Sequence, residues 1–337
     1  MGERSARPET TAFQHTIASQ LGAATSTILL YPVDLIRMRF LSQDGTRTRE
    51  HNGQTYRSIV KAFQLIYREE GGLPAFFRGC HVSVLGTFCA WGVYMYLYRH
   101  QCTWHEARQK KREEAHRSGR GLSGSPEKDP LAADGWATWQ NLQQRFGFSI
   151  IASCAAAAVC NPIWLLKTRM QLEETSARTA GLPRNFRTFR GGLLHTVQTT
   201  GVRSLWRGTS AQIVLAVPNA FHLPLYDFIK TVIVEVSRRS ELSVLEVCFC
   251  STLTKVVLAL VCHPVMVVKT RLQDHRAHAG EIQYCSFLQA TKTIWQRGGT
   301  TAFYRGTASS LCQTVPRSVL MFVGYEQFLK LVKRLSS

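Results

Sequence analysis

Apolar residues in this chain fall in blocks, not at the even spacing of surface helices. Six windows, 10–33, 79–98, 146–166, 208–226, 247–268 and 306–325, hold almost no acid or base; Lys255 and Arg317 alone interrupt them. Each has about the 20 residues that a helix needs to cross a bilayer. The pattern predicts six spanning helices. They are not uniformly apolar: the first holds Thr25, Ser26 and Thr27, the third Ser149, Ser153 and Cys154. Helices with one polar face suit a bundle around a water-filled cavity better than a lone anchor. A soluble protein with buried core helices accounts poorly for six windows of this length.

The segments between windows repeat. After the first, third and fifth windows the chain reads PVDLIRMR at Pro32–Arg39, PIWLLKTR at Pro162–Arg169 and PVMVVKTR at Pro264–Arg271. Each copy leads through a turn-rich stretch into an amphipathic helix candidate: Ser58–Glu69, Leu193–Thr199 and Phe287–Gln296. In the first, Ile59, Ala62, Phe63 and Ile66 share one stripe. Each then ends in an aromatic-Arg-Gly triplet: Phe77-Arg78-Gly79, Trp206-Arg207-Gly208 and Tyr304-Arg305-Gly306. The proline-to-glycine spacing is 47, 46 and 42 residues. The unit is span, short surface helix, span, three times over. The whole chain, 1–337, reads as one domain with repeats at about 13–101, 142–234 and 243–333. Residues 102–141 are a charged insertion: HEARQKKREEAHRSGRG has helical character, and LSGSPEKDP has linker composition.

Charge narrows the partners. Lys plus Arg number 41 against 22 Asp plus Glu, a net +19, and the bases sit mainly between the spans. Anionic lipid and an anionic solute fit that placement; no nucleic-acid motif coexists with the spans. The ten cysteines form no paired-CxxC framework, so free thiols are expected. His275 and His278 are spaced HxxH without further ligands, and a solvated loop is expected there, not a metal site. The first dozen residues lack a secretory apolar core. No catalytic constellation is present, so neither an enzyme nor a catalytic cofactor is expected.

Proline late in a span removes an N–H and crowds the preceding turn, so Pro32, Pro162 and Pro264 should kink or end their helices. Three kinks at one depth would draw three helix ends together. A carboxylate two residues after the proline and a base three further on could then pair between neighbouring ends, as Asp34 and Arg37 suggest. Lys255 and Arg317 are costly inside a span unless they meet water or a partner. They either face a cavity and attract phosphate or carboxylate, or they pair between helices.

These motifs resemble the mitochondrial carrier family over about residues 13–333, outside the insertion. The resemblance implies six tilted helices in three pseudo-symmetric repeats, each with a short matrix helix, and solute exchange across the mitochondrial inner membrane by alternating access. Within the family the chain is most similar to the folate/FAD carriers, near the NAD and pyrimidine-nucleotide carriers. Asn161-Pro162-Ile163-Trp164 carries that likeness, with Met38-Arg39-Phe40, Asp44-Gly45, Ala90–Tyr94, Thr254-Lys255-Val256 and Lys269–Asp274. FAD or a folate is the expected solute, NAD or a pyrimidine nucleotide the alternative. A non-transporting adaptor on a degenerate carrier scaffold is the rival class.

The family pattern implies a matrix gate at Asp34, Arg37, Trp164, Lys167, Met266 and Lys269. Trp164 and Met266 stand where the family has acids, so only Asp34 with Lys167 can form an ion pair of that set. The opposite, cytoplasmic-side gate would use Asp227, Lys230 and Glu326. Contact positions implied for the solute are Gly86 and Thr87, Leu215 and Ala216, and Gln313 and Thr314, with Arg317 one turn deeper. Trp91 either stacks on a planar ring or packs in the bundle; Asn219 and His222 are weaker cavity candidates. The Arg-Gly pairs Arg78-Gly79, Arg207-Gly208 and Arg305-Gly306 imply cardiolipin at helix starts, opposite Tyr56-Arg57-Ser58, Phe189-Arg190-Gly191 and Tyr284-Cys285-Ser286. A monomer is expected.

Overall fold

The computed structural model describes residues 12–46, 55, 56, 58–119, 130–174, 185–237, 244–277 and 282–336. Arg57, His278 and the centre of the charged insertion lie outside them. The described residues contain helices and no strand. In chain order these are α1 (Ala12–Leu29), α2 (Tyr31–Ser42), α3 (Ile59–Glu69), α4 (Cys80–Gly119), α5 (Pro130–Leu172), α6 (Phe189–Thr200), α7 (Thr209–Ala220), α8 (His222–Ser237), α9 (Val244–Gln273), α10 (Phe287–Phe303) and α11 (Thr307–Ser336). The helices close a ring, each touching its neighbours in the order α1, α4, α5, α7, α9, α11 and back to α1. At the closing seam Gly22 and Gly324 bring two backbones together; a Cβ on Gly22 would sit 2.9 Å from the Tyr325 nitrogen.

Three described stretches are long and apolar enough to cross a membrane: Leu73–Lys111, Gly147–Leu172 and Glu246–Gln273, and most residues of each are not buried inside the protein. The other predicted spans fall short for visible reasons. The first and fourth are each split in two, at Leu30 and at Phe221. α11 keeps its length but carries Ser, Thr, Gln and Arg317. The flanks of the charged insertion extend α4 to Gly119 and start α5 at Pro130.

The repeat prolines act unequally. Pro32 sits in the first turn of α2, just past the break after Leu29. Hydrogen bonds from Leu30 N to Ser26 O (3.2 Å) and from Asp34 N to Leu30 O (3.0 Å) carry the chain across it. The change of direction there is a kink, not an end. Pro162 and Pro264 lie inside continuous helices.

One end of the ring is sealed by three small cores, each packing a short helix against the end of an odd span. In the first repeat Leu35, Ile36 and Phe40 meet Ala62, Ile66 and Phe76. In the second, Leu165, Leu166 and Met170 meet Phe186 and Leu205. In the third, Val267, Val268 and Leu272 meet Ile294 and Phe303. Of the predicted α3 stripe, Ala62 and Ile66 are buried, whereas Phe63 stacks on Phe76 at the rim.

The last base of each PxxxxRxR-like copy ties one repeat to the next. Arg39 Nε donates to Gln171 O (3.2 Å), and Arg169 Nε to Gln273 O (3.3 Å). Arg271 Nη2 donates to Gln43 O (2.8 Å), which returns the ring to the first repeat. The triplet glycines follow the same order. Gly79, Gly208 and Gly306 all have φ near +80°, and a Cβ there would strike Met170, Gln273 and Phe40 respectively. Only glycine permits both that backbone and that approach.

Arg39 is fully buried and is neutralised by Glu70 through both guanidinium nitrogens, one at 2.9 Å. Removing one partner of such a pair leaves a buried, uncompensated charge, at a cost of about 3–5 kcal/mol. Glu70→Ala should therefore lower the melting temperature in detergent substantially. Adding Arg39→Met should recover part of that loss. Equal melting temperatures for the protein and Glu70→Ala would show that the pair contributes nothing.

Candidate functional site

Asp34, in the first turn of α2, is placed by the kink at the centre of the sealed end. Its carboxylate is 8 % exposed and collects groups from all three repeats. Lys167 Nζ donates to Oδ2 at 2.6 Å, and Gln171 Nε2 donates to the same oxygen at 2.9 Å. Gln313 Nε2 donates to Oδ1 at 2.8 Å, and the Arg37 guanidinium stands 3.7 Å from Oδ1. Gln313 uses both ends of its amide, since its Oε1 accepts from Arg37 Nη1 at 2.7 Å. Arg37 also donates to Ser310 Oγ (3.1 Å) and faces Met266 Sδ (3.3 Å). The position of Met266 thus meets Arg37 across the axis, with a thioether in place of a charge.

Lys269 lines the same cavity and has no ion pair or hydrogen bond among the described residues. Trp164 lines it too, its indole lying over Gly86, where a Cβ would be 3.6 Å from the ring. A glycine at 86 leaves the room that the indole and Ile163 fill. Arg317 reaches the cavity from α11 and donates to Thr27 Oγ1 at 3.2 Å. Four cations, Arg37, Lys167, Lys269 and Arg317, therefore share one space with a single carboxylate. In a site partly shielded from water such an excess attracts anions strongly.

The other predicted positions distribute as follows. Thr87 and Gln313 line the cavity. Leu215 and Ala216 are buried, outside its lining, and the Thr314 hydroxyl donates to Ser310 O. Lys255 is outside the lining. Trp91 is 44 % exposed, edge-on to Tyr94. Asp227 and Lys230 are exposed and form no ion pair among the described residues. The side chains of Asn219 and Glu326 lie outside the described residues. Sequence reasoning passed over Gln171 and Ser310, whereas Thr27, read as part of the first span's polar face, does line the cavity. The signal for Gln171 was its register: it and Gln273 occupy the same place, nine residues past their repeat prolines.

The triplet arginines also differ from one another. Arg78 donates to Glu70 Oε2 at 2.7 Å and to Glu173 O at 3.1 Å, so its guanidinium is held inside the protein. Arg207 and Arg305 have no side-chain partner among the described residues. The triplet aromatics are each anchored differently: Phe77 stacks on Tyr31, Trp206 Nε1 donates to Ala158 O, and Tyr304 stacks on His263.

A family profile described as mitochondrial carrier protein matches residues 8–104, 138–237 and 240–336. The chain is 28% identical over 336 residues to "Folate transporter 1, chloroplastic" of Arabidopsis thaliana, covering 96% of each protein. It is 23% identical over 327 residues to a mitochondrial FAD carrier protein of Saccharomyces cerevisiae, covering 94% of this chain and 96% of that one. It is 24% identical over 310 residues to "Nicotinamide adenine dinucleotide transporter 1, chloroplastic" of Arabidopsis thaliana, covering 90% and 88%.

Because Arg37 already faces Met266, a carboxylate at 266 should complete a second cross-axis pair. Met266→Glu is expected to stabilise the protein, by ~0–1 kcal/mol in a wet cavity and more if water is excluded, read as a higher melting temperature. The gain should vanish in an Arg37→Ala background. A gain of the same size in both backgrounds would refute the pairing.

Proposed function

We propose that the solute of this chain, which belongs to the mitochondrial carrier family, is a bulky anionic cofactor, FAD or a folate. The observation that carries this reading is the cavity's charge: four cations around one carboxylate, with Lys269 unpaired among the described residues. A phosphate or carboxylate group entering from the unsealed end would compensate Lys269 and Arg317. The relatives named for folate, FAD and NAD transport supply the chemical class. Those solutes combine negative charge with a planar ring, and the Trp164 face offers such a ring a stacking surface.

The conformation has a mechanistic meaning in this reading. The end bearing the short helices is shut by Asp34, Lys167 and Gln313, while Asp227 and Lys230 at the other end stand apart in solvent. An anionic group reaching Lys167 would compete with Asp34 for its ammonium and weaken the seal from within. Solute binding and opening are then one event, as alternating access requires. We place the protein in the mitochondrial inner membrane, with the short helices in the matrix and cardiolipin as a structural lipid at the starts of α4, α7 and α11. Subcellular fractionation tests the organelle, since two of the relatives are named chloroplastic.

Reconstituted liposomes should take up FAD or a folate in preference to NAD and pyrimidine nucleotides. Arg317→Ala should lower uptake about tenfold or more, the loss of roughly one charge-assisted hydrogen bond. Lys269→Gln should do the same, and Lys255→Ala should have the smaller effect. Preference for NAD or a pyrimidine nucleotide would replace the solute assignment. No uptake of any member of the panel, by protein with an intact melting transition, would favour the non-transporting reading.

A further inference from the structure

The three repeats share a backbone but not a charge pattern at the sealed end. Nine residues before the glycine that starts each even span stand Glu70, Thr199 and Arg297. Two positions further on, Gly72, Gly201 and Gly299 all adopt positive φ, so the local conformation is the same in each repeat. In the first repeat Glu70 neutralises both Arg39 and Arg78. The third repeat keeps both arginines, as Arg271 and Arg305, and replaces the acid with Arg297. The group that balances the charge in one repeat has become another cation in the other.

The three arginines line a single concavity of about 330 Å³ at the surface of the sealed end, between the end of α9, the irregular run at Ile282–Tyr284 and α10. Arg271 is buried and donates to Gln43 O and to the Tyr284 hydroxyl. Arg297 is exposed and Arg305 half-buried. Neither makes an ion pair or side-chain hydrogen bond with a described residue. Asp44 also lines the concavity, and its carboxylate accepts from Thr46 N and Oγ1 and from the Tyr284 hydroxyl. Thr293 and Thr301 contribute hydroxyl-bearing side chains to the wall. Among the described residues of the lining, three arginines therefore stand with one carboxylate that is already hydrogen-bonded.

We infer that this concavity is a phosphate-class anion site, separate from the central cavity, built where Arg297 replaces the balancing acid of the first repeat. Guanidiniums bind phosphate oxygens in paired, charge-assisted hydrogen bonds, and convergence of two or more favours a phosphate over a halide. The anion could be a free phosphate or pyrophosphate, or the phosphodiester of an anionic phospholipid. Either would tie α10 to the end of α9 and to the Asp44 segment of the first repeat, reinforcing the sealed end.

The test uses the full-length protein in detergent at constant ionic strength, with melting temperature read against pyrophosphate and, separately, cardiolipin. Wild type should be stabilised by at least one probe through preferential binding to the folded form. Arg297→Glu restores the first repeat's arrangement, so it should raise the ligand-free melting temperature and weaken the response about tenfold or more. Arg297→Ala should weaken the response without that gain. An Arg297-dependent response to pyrophosphate identifies a soluble anion as the ligand, and an Arg297-dependent response to cardiolipin alone identifies lipid. Arg317→Ala, in the central cavity, should leave the Arg297-dependent response in place. The inference is overturned if neither probe stabilises wild type. It is equally overturned if Arg297→Glu responds as wild type does, which would assign the anion to the central cavity or to the helix starts.

Discussion

Everything at the sealed end answers to one constraint: a single carboxylate must hold the ends of three helices that bring an excess of positive charge. Asp34 does so by using both oxygens. One is taken by Lys167 and Gln171 from the second repeat, the other by Gln313 from the third. The neutral amides matter as much as the ion pair. They satisfy the carboxylate without adding charge, and Gln313 passes its carbonyl on to Arg37. A buried charge is tolerable only when its hydrogen-bonding capacity is filled. The seal is therefore lopsided, strong between the first two repeats and weak where Trp164 and Met266 stand.

Around that uneven seal the framework is regular. Arg39, Arg169 and Arg271 each reach a backbone carbonyl of the following repeat, and each triplet glycine admits the helix end beside it. Symmetry resides in these backbone contacts, which do not depend on side-chain identity at the acceptor. Chemistry resides in the positions the framework leaves free, such as Glu70 against Arg297 and Asp34 against Trp164 and Met266. A repeated scaffold can thus carry unequal sites without changing its shape.

The division between framework and chemistry also governs what could be read from the chain. Spans, repeats and short helices were legible because exclusion of charge and the spacing of proline and glycine are linear signals. The Asp34–Lys167 pair was read from the family resemblance, which assigns the acid and base positions of neighbouring repeats to each other. The amides were less legible: Gln171 shares its register with Gln273, and Gln313 was read as a solute contact from the family's spacing, but neither position announces a bond to Asp34. The acceptors of the arginine ring are main-chain carbonyls, which no side chain announces. Gly86 was read as a solute contact from its register, yet its place is beneath Trp164, a packing fact fixed by helix rotation. Rotation likewise put Leu215 and Ala216 outside the cavity lining. The break at Leu30 was announced by Pro32, whereas the break at Phe221 inside the fourth span was not read, because hydropathy does not register an interruption of the helix.

The seam at Gly22 and Gly324 differs in kind from the ring's other joints. Between successive helices a connecting segment keeps partners at high effective concentration, whereas α1 and α11 are the first and last helices of the ring in chain order. Their union carries the loop-closure entropy of nearly the whole polypeptide. That entropy must be met by contact alone, and two glycines let the backbones come near enough to maximise it. Docking of α11 against α1 is the step that turns an open palisade into a barrel. Until α11 docks, the polar faces of five helices have no common interior to share.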